Sequence, residues 1–147
     1  MATPYSEVFE LFLATVQDYT LQALYSSSVA NFEIELVPFL NKSIAKFFEA
    51  NQDLTNKNDT TRTFNITLTL TEMAILANLM SIEWLTHQIN NLLELQNLVG
   101  DKDFNRKSEA SILNSKIKLR DTLKEDVENQ MIRYNYQNND WEGTNYL

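Results

Sequence analysis

His87 is the only histidine of a 147-residue chain that contains no cysteine. Those two facts remove most side-chain chemistry. A thiolate nucleophile, a disulfide and a zinc–thiolate site are excluded, as is a metal held by two histidines. An imidazole base would have to be His87, three residues after Trp84 in an apolar run. The expectation is a surface or interface histidine satisfied by hydrogen bonding. The stretch DKDFNRKSEASI, Asp101 to Ile112, puts Asp101, Asp103 and Asn105 at the first, third and fifth places of a calcium loop. Arg106 then stands where the sharp turn needs glycine, and Ile112 where a bidentate glutamate is needed, so helix capping is the expected role. With two isolated glycines, neither Gly-rich phosphate cradle can be built. Glu72 and Glu83 lie three helical turns apart and read as structural carboxylates. No catalytic, cofactor-binding or metal-ligating residue is expected, and the chain is not expected to be an enzyme.

The elements that would position these residues are helices. Two glycines and two prolines are too few for a many-turned β fold, and the length suits one domain with a single core. The fold class is all-α, about four helices with two long ones. The predicted organisation is a helical domain over residues 1–134 and an extended C-terminal tail over 135–147. A first helix is predicted with Thr3 as N-cap and Pro4 in its first turn, its stripe running through Tyr5, Val8, Phe9, Phe12, Val16 and Tyr19. Ser26 to Ser28 interrupt it and offer N-caps. A second helix carries Phe32, Leu36, Val37, Leu40, Ile44, Phe47 and Phe48 on one side and kinks at Pro38. Residues 51–63 read as a solvated loop, and a short β segment is possible near 64–68.

Thr69 and Glu72 then form a T-x-x-E capping box at the head of the central apolar run. Leu70, Met73, Ala74, Ala77, Met80, Ile82, Trp84, Leu85 and Ile89 spread over more than half of the helical wheel. Only Glu72, Glu83 and Asn90 mark a polar face. Such a helix is either the centre of the domain or packed on a second subunit. The last helix, about residues 108–134, carries a narrow seam through Ile112, Leu119, Leu123, Val127, Met131 and Tyr134 on a charged rod. The tail adds Tyr136, Trp141 and Tyr146.

Charge restricts partners. Twelve basic residues face twenty acidic ones, a formal net charge of −8, which opposes binding to phosphates by counterion release. Arg106, Lys107, Lys116, Lys118 and Arg120 form the one positive concentration, diluted by neighbouring acids. No uninterrupted apolar run reaches membrane-spanning length, and the N-terminal stretch does not read as a signal peptide.

Four features carry a resemblance: LT-x-x-E at Leu68 to Glu72, LM-x-x-EWL-x-x-QIN at Leu79 to Asn90, DKDF at Asp101 to Phe104, and FL-x-x-x-I-x-x-F at Phe39 to Phe47. Over Phe32 to Tyr134 the chain resembles small helical neck proteins of tailed bacteriophages, the head–tail connector or adaptor family. The resemblance implies a structural virion protein of the neck, assembled in the host cytoplasm. It implies a homo-oligomeric ring, usually a dodecamer, below the portal protein, extending the DNA channel and joining the next neck or tail protein. DNA would pass through without tight binding. Trp84, Leu85, Tyr134, Tyr136, Trp141 and Tyr146 are the candidate residues for subunit or partner interfaces. The alternative is a small helical dimeric interaction module, a regulator or antitoxin-like partner, which the heptad-like seam of the last helix would suit.

Overall fold

The structure, a computed structural model, describes residues 2–16, 18–48, 50–99 and 107–138. Among these residues there are five helices: α1 (Tyr5–Val16), α2 (Tyr19–Ser27), α3 (Val29–Lys46), α4 (Leu70–Val99) and α5 (Lys107–Asn138). Three two-residue strands, β1 (Thr3–Pro4), β2 (Lys57–Asn58) and β3 (Thr63–Phe64), form a small antiparallel sheet in the order β1-β3-β2. The all-α expectation with a short β segment holds, and the strand itself is only Thr63–Phe64.

The start of the chain departs from the predicted cap. Thr3 and Pro4 pair with Phe64 and Thr63 instead of opening a helix. The Thr3 hydroxyl accepts from the Leu68 amide at 3.0 Å, so it holds the lead-in to α4 and does not cap α1. The first helix also ends sooner than its stripe suggests. Asp18 accepts from the amides of Thr20 and Leu21 at 2.8 and 3.1 Å and starts a new helix there. Tyr19 consequently falls beyond the break and is 87% exposed. Ser28 ends α2 and caps α3 by accepting from the Asn31 amide at 3.3 Å. Helix α3 passes through Pro38 and ends at Lys46.

Residues 51–63 are more ordered than their composition suggests. Leu54 is buried in the core, and a turn with Arg62 at φ 54°, in the left-handed region, joins β2 to β3. Arg62 is held there by the Glu33 carboxylate at 3.3 Å, while its carbonyl accepts from the Tyr5 amide at 3.0 Å.

Helix α4 is the centre of the molecule, packed by α1, α3 and α5. Ile75, Leu76, Met80 and Leu85 are buried among Phe9, Phe12, Phe32, Leu36 and Leu40 of the same chain. The apolar surplus of α4 is thus covered by its own chain over residues 75–89, and no second subunit is needed to seal it. Beyond Ile89 the cover changes. Ile89, Leu92, Leu113 and Ile117 form a separate small cluster between α4 and α5 alone. The two helices leave the body there as an antiparallel arm.

Helix α5 runs through Asn138, so residues 135–138 are helical and not part of an extended tail. Its buried seam is also rotated from the predicted one. Leu113, Leu123, Val127 and Tyr134 are buried, whereas Ile112 and Leu119 are 49% and 40% exposed. Contact with Ile89 and Leu92 selects the Leu113–Ile117 pair, four residues apart on one face, over Ile112.

Candidate functional site

The capping box at the head of α4 forms as predicted, but its glutamate does far more than cap. The Thr69 amide donates to Glu72 Oε1 at 2.8 Å, and the Glu72 amide donates to the Thr69 hydroxyl at 3.2 Å. Glu72 is only 2% exposed, although the sequence placed it on a polar face. Gln52 Nε2 donates to its Oε1 at 2.8 Å, and the Tyr134 hydroxyl donates to its Oε2 at 2.9 Å. The Tyr134 oxygen in turn accepts from the Asn51 amide at 2.8 Å. A buried carboxylate is tolerable when its lone pairs are filled by donors and it faces a helix N-terminus. Both conditions hold here. Burial, together with the Glu72 carboxylate, lifts the Tyr134 phenol above its ordinary range against the opposing Asn51 amide. Chemically, this is a saturated anchor that ties the 50–54 loop, the start of α4 and the end of α5, with both carboxylate oxygens already engaged by protein donors.

A second buried phenol lies at the other side of the sheet. Tyr5 donates to Asp59 Oδ1 at 2.6 Å, and Lys57 Nζ donates to the same oxygen at 2.6 Å. Burial first, then Asp59, raises the Tyr5 phenol well beyond its ordinary range. Lys57 first, then the Tyr5 hydroxyl, holds the Asp59 carboxyl below its own. Among the described residues no three His, Cys, Asp or Glu side chains converge where a cation could be held. The calcium-like stretch falls largely outside the described residues, and its last residues, 107–112, are helical.

The predicted interface residues separate in space. Leu85 and Tyr134 are core residues, 2% and 3% exposed, which corrects their reading as contact surface. Trp84 is half-buried, edge-on to Phe12 and Phe39 at ring separations of 6.4 and 5.4 Å. His87 is exposed, and its ring stacks on the Trp84 indole at 6.2 Å with 9° between planes. Asn91 lies 3.4 Å from His87 Nδ1, the hydrogen-bonding environment expected of a surface histidine. Tyr136 is 66% exposed on α5. Trp141 and Tyr146 lie outside the described residues.

Two surfaces that sequence reasoning missed are apolar and open. The first is a groove of about 340 Å³ lined by Phe48, Glu128, Met131 and Ile132. Phe48 is 86% exposed, because α3 ends at Lys46 and the chain turns Phe47 inward and Phe48 outward. A shallower depression of about 180 Å³, with Ile44, Leu54, Asp53 and Thr55 in its wall, adjoins it at Phe48. The second surface is the arm tip, where Leu93, Leu95, Leu98 and Ile112 are exposed, Leu98 at 81%. A doublet of phenylalanines at a helix end was the available signal for the groove. Nothing in the sequence sets the tip apart from the buried part of α4.

Comparison with protein-family models, curated proteins and solved structures finds no match to this chain. No helix among the described residues is long and apolar enough to cross a membrane.

Proposed function

We propose that the chain is a structural assembly protein, the ring-forming subunit of a tailed-phage neck that joins head to tail below the portal. The observation that supports this most directly is the division between a body that seals its own core and an arm whose tip does not. Leu93, Leu95, Leu98 and Ile112 present aliphatic surface that nothing in the described chain covers, and such surface on a charged protein marks a contact with another macromolecule. The motifs quoted for the resemblance run from Phe39 through the central helix to the arm. The polar clusters of the body are saturated by their own hydrogen bonds, which suits a building block. In this reading the partners are sister copies, the portal protein and the next neck or tail protein. The chain is not an enzyme, uses no cofactor, and resides in the virion after assembly in the host cytoplasm. Its acidic charge lets DNA pass the channel without being held.

Negative-stain images of the purified protein, alone and with a portal protein, test the reading. Rings with a central hole are expected. A species that stays a dimer at all concentrations, with no affinity for the portal, would favour the dimeric regulator instead.

A further inference from the structure

We infer that sister copies join head to tail, the arm tip of one seated in the Phe48 groove of the next. The inference rests on the ring reading above and names the contact that would build the ring. Three observations carry it.

The first is placement. Leu113 at the arm and Met131 at the groove lie eighteen residues apart on one helix, about 27 Å along its axis. The tip and the groove therefore sit at opposite ends of α5 and cannot meet within one molecule. Each is apolar and open: Leu98 is 81% exposed at one end, and Phe48 and Ile132 are 86% and 54% exposed at the other.

The second is charge. On the stretch of α5 beside the tip, Lys116, Lys118 and Arg120 are the only charged residues between Ala110 and Arg120. Arg120 is held by Asp121 at 3.4 Å, while Lys116 and Lys118 have no ion-pair partner among the described residues. The half beside the groove carries Asp121, Glu125, Asp126 and Glu128 against Lys124 and Arg133. Glu128 lines the groove, and Asp53 lines the adjoining depression. Neither forms an ion pair among the described residues. A basic aliphatic tip and an acid-flanked apolar groove are complementary in both respects.

The third is symmetry. The two surfaces differ from each other, so their union is heterologous and repeats from copy to copy. It closes into a ring when the rotation per step allows. A tip-to-tip or groove-to-groove union would bring like charges together.

The absence of native cysteine makes the test direct. Asn97→Cys marks the tip, Thr55→Cys the groove rim, and Tyr19→Cys, on α2, serves as a collision control. All three sites are exposed, and Phe48 and Leu98 stay in place. With a short bismaleimide, a mixture of N97C and T55C chains is expected to give a heterodimer and nothing larger. The doubly substituted chain should give a ladder that stops at the ring size. N97C alone and T55C alone should remain monomers. Glu128→Lys should lower the mixed yield roughly tenfold, and Lys118→Glu on the tip-bearing chain should restore it. Circular dichroism of each variant controls for folding.

Homodimers from N97C alone, or a mixed yield no greater than with Y19C, would overturn the inference. So would indifference to the charge reversals. Yield at background in the full chain that rises only after removal of residues 139–147 would assign the groove to the chain's own end, and also overturns it. Rings in micrographs without the 55–97 linkage refute this contact and leave the ring reading standing. The absence of both rings and linkage refutes the two together.

Discussion

Tyr134 is the residue on which three parts of the chain converge. Its hydroxyl donates to Glu72 and accepts from the Asn51 amide, and its ring packs edge-on to Phe47 at 5.2 Å. Removing only the oxygen leaves a buried carboxylate short of one donor and a backbone amide without its acceptor. Tyr134→Phe is therefore expected to cost about 1–3 kcal/mol in urea unfolding, although phenylalanine fills the same core space. A loss within error would show that water replaces the hydroxyl. The two raised phenols also set the alkaline limit of the fold. A phenol whose folded value lies above its unfolded one stabilises fully below the unfolded value of about 10. That stabilisation is lost as pH rises through the folded value. Stability measured by denaturant titration should thus fall above about pH 10, and the Tyr5→Phe/Tyr134→Phe chain should lose less over the same interval. An unchanged alkaline slope in the double variant would contradict the assignment.

Among the elements, the short helices depend on caps and the long ones on burial. Helix α2 has only nine residues and buries one of them, Leu21. The Asp18 carboxylate, which accepts two of its free amides, is a large part of what holds it. Asp18→Ala should destabilise the protein by about 1 kcal/mol, and Asp18→Asn or Asp18→Ser by much less. Equal losses in all three would rule out capping as the cause. Helix α4 is uneven along its length, fully packed over residues 75–85 and covered on one side beyond Ile89. Hydrogen exchange of amides 92–98 and 110–116 in the isolated protein should be faster than at 75–85. On addition of sister copies or a portal protein at assembling concentration, protection is expected to rise at 92–98. Uniform protection along α4 in the monomer would mean that the arm is not a separate, weakly held unit.

At the scale of the whole molecule, the acidic charge bears on DNA. The net charge of −8 predicts negligible affinity for duplex DNA at physiological salt. A fluorescence-anisotropy titration checks this, and sub-micromolar binding would contradict it. A protein that must line a channel without gripping its cargo is suited by that balance, whereas a nucleic-acid reader is not.

Local signals alone determined the helical class, the capping box at Thr69 and Glu72, the Ser28 break, the passage of α3 through Pro38 and the exposed setting of His87. Each depends on a residue and its near neighbours along the chain. Helix limits at Asp18 and Lys46 were less legible, because an apolar stripe in phase does not reveal where a cap will interrupt it. Only the tertiary structure decided that Glu72 is buried, since its donors come from residues 20 and 62 positions away. It also decided that α4 is sealed by α1, α3 and α5, which moves the uncovered surface from the middle of that helix to its end. A greasy helix face looks the same in sequence whether its own chain or another covers it. The difference lies in which elements reach it, and that is a property of the packed molecule.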